Sequence, residues 1–358
     1  MKNNILSKTF TLLAVCLVAI SCGGEGGETP DNKPQITPVY DAYVLCEGVW
    51  GGNDAKLCRL ATNTGDISPD FFAEVNGRGL GDQAQDAVVY GSKLYVSVTE
   101  SKTLLVADAA TSKAIKQIML SGKPRSIACK DGKVYVDNYD KTIVRLDTAT
   151  LQLDGICPLD RMLPEQMAIV GNNLYVTSTY SLLPNGSFVY DSVLQVVDLT
   201  TFTKTDNIVV GLNPGRVKAL NGNRLVVCCT GDYGATASSA VVVNLDDNSV
   251  TKLPVALGNI DIAAGNIYGY TITYDAGLNQ TRSEFFRIDG ATLQVTPMLK
   301  AYESVLTNAY GINLDGDGNL YVCNSVFGSN SDVFCFGPDG TKKWKSEAAH
   351  FASKVIFW

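Results

Sequence analysis

Residues 86–120 read DAVVYGSKLYVSVTESKTLLVADAATSKAIKQIML, and residues 125–159 read RSIACKDGKVYVDNYDKTIVRLDTATLQLDGICPL. Both segments contain four short apolar runs, separated by turns whose Asn, Asp and Gly residues suit β-hairpins. Four further copies follow along the chain, at a spacing of roughly 40 to 50 residues. One four-stranded blade of a β-propeller has this length. The repeat therefore predicts an all-β fold built from blades.

The two ends of the chain complete the repeat. Residues 42–77 contain three strands of the unit but lack a first strand, whereas residues 352–358 (ASKVIFW) match a first strand alone. We predict that these segments pair, so that residues 41–358 form a seven-bladed β-propeller with ring closure by N- and C-terminal strands. Closure leaves no exposed apolar edge, which disfavours the alternative of an open array of repeats.

The first residues have the composition of an export signal. Lys2 and Lys8 flank the start of an apolar run, residues 10–20, that is too short for a stable membrane span. We interpret residues 1–21 as a lipoprotein signal peptide, because the small residues before Cys22 resemble a bacterial lipobox, in which the cysteine is lipidated. Residues 22–40 are predicted to form a flexible tether. An ordinary signal peptide followed by an incidental cysteine is the alternative.

Charge and residue content argue against several classes of function. The formal net charge is −7 and no basic run occurs, which disfavours nucleic-acid binding. The chain has a single histidine, His350, and no CxxC or Gly-x-Ser-x-Gly motif. These features favour a protein without a metal centre, a cofactor or a catalytic residue.

The cysteines form one regular pattern. Cys46 and Cys58 are twelve residues apart, and so are Cys323 and Cys335. Both pairs fall on equivalent predicted strands, so the two members of each pair could lie across from each other. Disulfides are allowed outside the cytoplasm, but the spacing does not decide their geometry.

Four strands carry an x-Tyr-Val-x motif that resembles the strand of the YncE-like (YVTN-repeat) propellers: residues 94–97, 134–137, 174–177 and 320–323. Residues 43–53 (YVLCEGVWGGN) and 76–82 (NGRGLGD) are similar to a subfamily of Bacteroidota surface lipoproteins. Cys46 departs from that subfamily, which commonly has Asn there. The resemblance implies a lipid-anchored protein exposed at the cell surface, on the outer membrane. Known members include surface proteins that capture cobalamin and related corrinoids for a TonB-dependent outer-membrane transporter, although many relatives have no assigned ligand.

One rim of the predicted propeller collects the longest and most aromatic loops. Loops between second and third strands, and loops between blades, share this face. Aromatic and hydrogen-bonding side chains together suit a large amphipathic ligand. The candidate ligand-binding residues are Trp50, Arg78, Gln85, Arg125, Tyr139, Gln166, Tyr180, Arg216, Tyr233, Tyr274 and Tyr310. The alternatives are that the loop aromatics cover core edges, and that Arg125, Glu165 and Arg216 form an inter-blade ion-pair ring.

Three functions remain open from the sequence. The leading hypothesis is capture of a small amphipathic nutrient, with cobalamin as the candidate ligand. The second is a protein- or glycan-binding module without a small-molecule ligand, and the third is a hydrolase such as a lactonase. A deep depression on the long-loop face would favour capture, a flat face the second hypothesis, and a cluster of carboxylates in the channel the third.

Overall fold

A computed structural model describes residues 36–161, 163–275 and 280–358, and residues 37–358 form one compact unit. The signal peptide and Cys22 lie outside the described residues. Seven four-stranded antiparallel sheets are present in the described ranges, together with one two-stranded hairpin. The predicted seven-bladed β-propeller is therefore confirmed.

The strands of the first four blades follow the chain in order. Blade 1 contains β1 (Tyr40–Cys46), β2 (Lys56–Ala61) and β3 (Ile67–Ser68), followed by helix α1 (Phe71–Asn76). Blade 2 contains β4 (Ala84–Tyr90), β5 (Lys93–Val98), β6 (Thr103–Asp108) and β7 (Ala114–Met119). Blade 3 contains β8 (Pro124–Lys130), β9 (Lys133–Asn138), β10 (Thr142–Asp147) and β11 (Leu153–Pro158). Blade 4 contains β12 (Pro164–Val170), β13 (Asn173–Ser178), a hairpin of β14 (Tyr180–Leu182) and β15 (Phe188–Tyr190), then β16 (Val193–Asp198) and β17 (Thr203–Val209).

The remaining blades repeat the same order. Blade 5 contains β18 (Pro214–Ala219), β19 (Arg224–Cys229), β20 (Ser239–Asn244) and β21 (Ser249–Lys252). Blade 6 contains β22 (Asn259–Ala263), β23 (Asn266–Asp275), β24 (Gln280–Asp289) and β25 (Val295–Met298), followed by a 3₁₀ turn (Lys300–Tyr302). Blade 7 contains β26 (Ala309–Leu314), β27 (Leu320–Asn324), β28 (Asn330–Phe336) and β29 (Lys342–His350). The last strand, β30 (Ala352–Phe357), belongs to blade 1.

The ring closes through strand β30. It pairs antiparallel with β1, where Tyr43 lies opposite Ile356 and Val44 opposite Val355. The ring of Trp358 lies 4.3 Å from the ring of Tyr43, centroid to centroid. The pairing of the two chain ends is as predicted, and it makes β30 the innermost strand of blade 1.

Burial along the strands shows where the core sits. In β5 every residue after Lys93 is buried, whereas β7 alternates half-buried and exposed residues. The second strand of a blade is covered on both faces because neighbouring blades pack face to face. The core cluster between blades 1 and 2, for example, joins Leu45 and Leu57 to Leu94 and Val96. The hydrophobic effect therefore acts mainly between blades.

Helix α1 is an element that the strand pattern misses. The sequence pattern assigns the chain up to Gly77 to strands, but β3 ends at Ser68 and a six-residue helix follows. Asp70 caps this helix, since its carboxylate accepts from Ala73 N at 3.3 Å, and Gly77 ends it with φ of 65°. The buried Phe72 holds the helix on the core. No helix in the described part of the chain is long and apolar enough to cross a membrane.

The eight cysteines of the described ranges are free thiols. Cys46 lies opposite Lys56 rather than Cys58, and the two sulfur atoms are 3.9 Å apart. Cys323 lies opposite Val333 rather than Cys335. Each pair is therefore offset by two residues from a directly opposed pair, and in the structure neither is a disulfide.

Candidate ligand-binding site

The long-loop face is built mainly by blades 4, 5 and 6. The hairpin β14–β15 is inserted between the second and third strands of blade 4, and Asp191 N donates to Thr179 O at its base (3.0 Å). Strands β23 and β24 of blade 6 are ten residues long, compared with six for β5 and β9. These extra lengths lie on the predicted rim, so the face carries walls rather than short turns.

The innermost strands of the blades surround a central channel. Along the channel, a side-chain oxygen on the inner strand of one blade accepts a hydrogen bond from a backbone N–H on the inner strand of the next blade. Asp86 Oδ2 accepts from Ile127 N at 2.8 Å, and Gln166 Oε1 accepts from Val217 N at 2.8 Å. The same contact joins Asp261 Oδ2 to Leu314 N (2.9 Å) and Asn313 Oδ1 to Val355 N (2.8 Å). Gln166, a predicted ligand residue, is thus engaged in holding two blades together.

An ion pair lies in the wall of the channel. Arg125 Nε and Nη2 donate to Glu165 Oε2 and Oε1, at 3.0 and 2.5 Å. The hydroxyl of Tyr139 donates to Glu165 Oε2 at 3.3 Å, and the Arg125 guanidinium lies over the Tyr139 ring, 5.5 Å from its centroid. Burial, followed by the Glu165 carboxylate, raises the pKa of Tyr139, so its hydroxyl remains a donor. Arg125 and Glu165 therefore match the ion-pair alternative.

A second buried carboxylate lies across the channel. Glu47 Oε2 accepts from Gln85 Nε2 at 2.8 Å and from the Tyr310 hydroxyl at 3.0 Å. Burial raises the pKa of Glu47 above its ordinary value of 4.5. Glu47 follows strand β1 directly, and the sequence analysis missed it.

The channel itself has room for little more than water. Its free volume is about 70 Å³. Three carboxylates line it, but Glu47 and Glu165 have the partners just described and Asp86 pairs with Lys354 Nζ at 2.6 Å. Within the described ranges, no group of three or more His, Cys, Asp or Glu side chains is placed to hold a metal ion. His350 lies outside the channel, with Nδ1 3.9 Å from Asp54 Oδ2.

An aromatic cavity of about 560 Å³ lies beside the channel, above blades 4 and 5. Four rings run along it: Tyr180 is 5.5 Å from Phe188, Phe188 is 5.2 Å from Tyr190, and Tyr190 is 6.2 Å from Tyr233. The aromatic cavity is lined by Tyr139, Leu163, Glu165, Thr179, Tyr180, Leu182, Phe188, Tyr190, Asn213, Gly215, Arg216, Cys228, Thr230, Tyr233 and Gly258. Phe188 is 53% exposed and Tyr233 is 80% exposed. These rings contact one another rather than the core, which leaves apolar surface open to a ligand.

Arg216 is shared by the channel and the aromatic cavity. It lies on the inner strand β18, and its Nη1 atom is 4.0 Å from Glu165 Oε1. One third of its side chain (33%) is exposed. Arg216 is therefore the cationic wall of the cavity.

The structure divides the predicted ligand residues into three groups. Tyr139, Tyr180, Arg216 and Tyr233 come together in the aromatic cavity. Gln85, Arg125, Gln166 and Tyr310 line the channel, together with Arg216. Trp50, Arg78 and Tyr274 line neither cavity.

The three residues outside the cavities have their own surroundings. Trp50 and Tyr274 are 73% and 63% exposed. The Arg78 guanidinium lies over the Phe72 ring, 5.4 Å from its centroid. Leu163 and Leu182 complete the cavity wall and were absent from the candidate list; their position in interrupted, polar loops gave no periodic signal.

Comparisons with known proteins agree with the propeller fold. No family model matches the sequence, and no curated protein matches it. The structure is similar to a hydrazine synthase from Kuenenia stuttgartiensis (17% identity, 72% of this chain and 77% of that chain covered, TM-score 0.59). It is similar to BamB from Moraxella catarrhalis (13% identity, 91% and 93% covered, TM-score 0.52). It is also similar to a functionally unknown protein from Desulfotomaculum acetoxidans (11% identity, 88% and 98% covered, TM-score 0.60). At these identities the likeness shows the fold alone.

Proposed function

We propose that the protein is a non-catalytic binding propeller that captures a small amphipathic ligand in the aromatic cavity. The observation that carries this proposal is the row of four rings, from Tyr180 to Tyr233, along a cavity of about 560 Å³. Ligand sites commonly have volumes of about 300 to 1,000 Å³ and apolar walls with a few oriented polar groups. Here the rings supply the apolar wall, and Thr179, Asn213 and Thr230 supply polar groups.

The ligand that we propose is a cobalamin-type corrinoid. A corrinoid combines a broad ring system with peripheral amides, and aromatic rings beside hydroxyl and amide groups suit that combination. A whole corrinoid, with its amide side chains and nucleotide loop, is larger than the cavity, so it would lie across the opening with one edge inserted. The similarity of residues 43–53 and 76–82 to corrinoid-capturing surface lipoproteins supports the same ligand.

The cellular setting is part of the proposal. We propose that Cys22 carries a lipid that anchors the protein at the outer membrane, with the propeller exposed at the cell surface. From there it would present its ligand to a TonB-dependent outer-membrane transporter. The signal-like residues 1–21 and the composition of residues 22–40 support this setting.

The test is calorimetric titration of the purified protein with cyanocobalamin. We expect binding at micromolar protein, and a Phe188→Ala, Tyr233→Ala double variant should bind roughly a thousandfold more weakly. Each truncated aromatic contact is commonly worth about 2 kcal/mol, and two such losses add to that factor. The matched control is Phe327→Ala, because Phe327 is 82% exposed and lines neither cavity. Absence of binding by the native protein would reject the corrinoid as the ligand. An equal loss of affinity in the double variant and in Phe327→Ala would reject the aromatic cavity as the site.

A second candidate function, binding of a protein partner, is favoured by one further observation. Phe327 lies 5.9 Å from Phe351, which lies 6.3 Å from Tyr310, centroid to centroid. This aromatic cluster is on the other side of the ring from the cavity, on blades 7 and 1. Phe327→Ala would weaken binding of a protein partner while leaving the titration with a small ligand unchanged.

A further inference from the structure

Arg216 has a charge that its surroundings do not neutralise fully. Among the described residues, its single acidic neighbour within ion-pair distance is Glu165, at 4.0 Å, beyond hydrogen-bond reach. Across the described residues, no hydrogen bond engages the guanidinium. An arginine has five N–H donors, so this guanidinium can bind a ligand that enters the cavity.

We infer that the ligand of the aromatic cavity carries an anionic oxygen group, of the carboxylate or phosphate type, that binds Arg216. The inference rests on the proposed function, since it assigns a chemical class to the ligand of the same cavity. A guanidinium fork matches two oxygens of such a group. The ligand class is then a planar or aromatic body joined to an acid group.

Glu165 does not serve as the missing partner of Arg216. Arg125 occupies both of its oxygens, through Nη2 at 2.5 Å and Nε at 3.0 Å. Tyr139 adds a third donor to Oε2. Both oxygens of the carboxylate therefore have closer donors, which leaves the guanidinium of Arg216 without a hydrogen-bonded partner at the cavity wall.

The other acidic groups nearby are also engaged. Glu47, across the channel, accepts from Gln85 and Tyr310. Asp232 precedes the exposed Tyr233, but its Oδ1 atom accepts from Gly234 N at 2.9 Å and from Thr236 N at 2.8 Å. Its charge is thus directed into its own loop rather than toward the cavity.

Arg216 places its positive charge beside the aromatic rings of the cavity. It lines the cavity that also contains Tyr180, Phe188, Tyr190 and Tyr233. A ligand can stack on these rings and at the same time bind Arg216 through its acid group. A neutral ligand would leave the guanidinium desolvated without a partner.

A matched pair of fluorescent probes tests the inference without knowledge of the natural ligand. Anilinonaphthalene sulfonate and N-phenylnaphthylamine have the same aromatic body, and only the first has an anionic oxygen group. We expect the protein to bind the sulfonate roughly tenfold to a hundredfold more tightly, the usual range for a hydrogen bond to a charged group. Arg216→Gln should remove that preference, whereas Arg216→Lys should retain part of it.

Two controls separate this inference from the proposed function. Arg78→Gln removes an arginine that lines neither cavity, so it should leave both affinities unchanged. Phe188→Ala should weaken both probes alike, and failure to do so would reject the cavity itself. If Phe188→Ala weakens both probes but Arg216→Gln leaves the ratio of affinities unchanged, the cavity stands and the anionic ligand is rejected.

Discussion

At three equivalent second strands, one side chain bonds the backbone of the inner strand beside it. Ser97 Oγ accepts from Asp86 N at 3.1 Å, and Thr177 Oγ1 accepts from Gln166 N at 3.0 Å. In blade 3 the same position is Asp137, whose Oδ1 accepts from Ser126 N at 2.5 Å. Asp137 is completely buried, so a titratable group stands where the other two blades have a neutral hydroxyl.

The first prediction concerns the protonation of Asp137. Burial raises the pKa of this carboxyl to about 7, from an ordinary value of 3.8. The folded protein thus holds the proton more tightly than the unfolded chain, so the contribution to stability is complete below about pH 4 and is lost as the pH rises to about 7. At about 1.4 kcal/mol per pKa unit, the loss reaches roughly 4 kcal/mol. Asp137→Asn keeps the bonds to Ser126 and should therefore exceed the native protein in stability at pH 8, with the difference vanishing near pH 4.

Urea unfolding of both proteins across this pH range measures the difference in free energy of unfolding. Asp108→Asn is the control, because Asp108 is the last residue of strand β6, where the hydroxyl and backbone N–H of Thr111 lower the pKa of its carboxyl. The difference in free energy of unfolding between Asp108→Asn and the native protein should change with pH in the opposite direction. A constant difference between Asp137→Asn and the native protein would contradict the raised pKa.

Some of the site residues could be predicted from the sequence one at a time, but their partners could not. The aromatic residues Tyr180 and Tyr233 were predictable because aromatic side chains in polar loops have no core to enter. The pairing of Arg125 with Glu165 was one of two open alternatives, because strands of adjacent blades are about forty residues apart in the chain. Glu47 gave no signal, since a single acid after an apolar strand is common at a strand end.

Among the elements, the hairpin β14–β15 contributes most to the cavity and least to the fold. Phe188 and Val189 are 53% and 54% exposed, and the hairpin pairs only with itself. At its base, Asp191 N donates to Thr179 O at 3.0 Å, so the chain ends that carry it are already adjacent. Its short strands are too irregular in pattern for the sequence to predict a hairpin.

We predict that the hairpin can be removed without loss of the fold. Replacing residues 180–190 by Asn-Gly should change the free energy of unfolding by only about 1 to 2 kcal/mol, since loop closure depends weakly on length. Binding of both fluorescent probes should fall sharply, because three of the four rings are lost. Thermal unfolding and probe titration on the same sample test both halves. Unfolding of the variant would show that the hairpin supports blade 4.

For the whole molecule, the closure of blade 1 is the decisive contact. Strand β30 is the innermost strand of that blade, with Val355 and Ile356 buried against residues of both neighbouring clusters. The blade number was predictable because the repeat could be counted and both incomplete ends matched. The ligand was not predictable, because it depends on loops that do not repeat.

A third prediction tests how much strand β30 stabilises the closed ring. Ile356→Ala should lower the free energy of unfolding by about 2 to 5 kcal/mol, the usual cost of truncating a buried isoleucine. The matched control is Ile156→Ala, because Ile156 on the outer strand β11 is 62% exposed and should change stability by at most about 0.5 kcal/mol. Urea unfolding monitored by circular dichroism gives both values. Equal small effects would mean that β30 adds little to the ring.

Both chain ends contribute strands to blade 1, so this blade can be completed only late in folding. Strand β1 begins at residue 40 and its partner ends at residue 357, so the contact that closes the ring spans nearly the whole chain. While the protein is being synthesised, the ring lacks its closing strand until the last residues emerge. A growing chain can assemble blades 2 to 7 in order, but blade 1 stays unpaired on its inner edge. Premature termination near the C-terminus would therefore release an open ring with an unprotected strand edge, the kind of edge that invites aggregation.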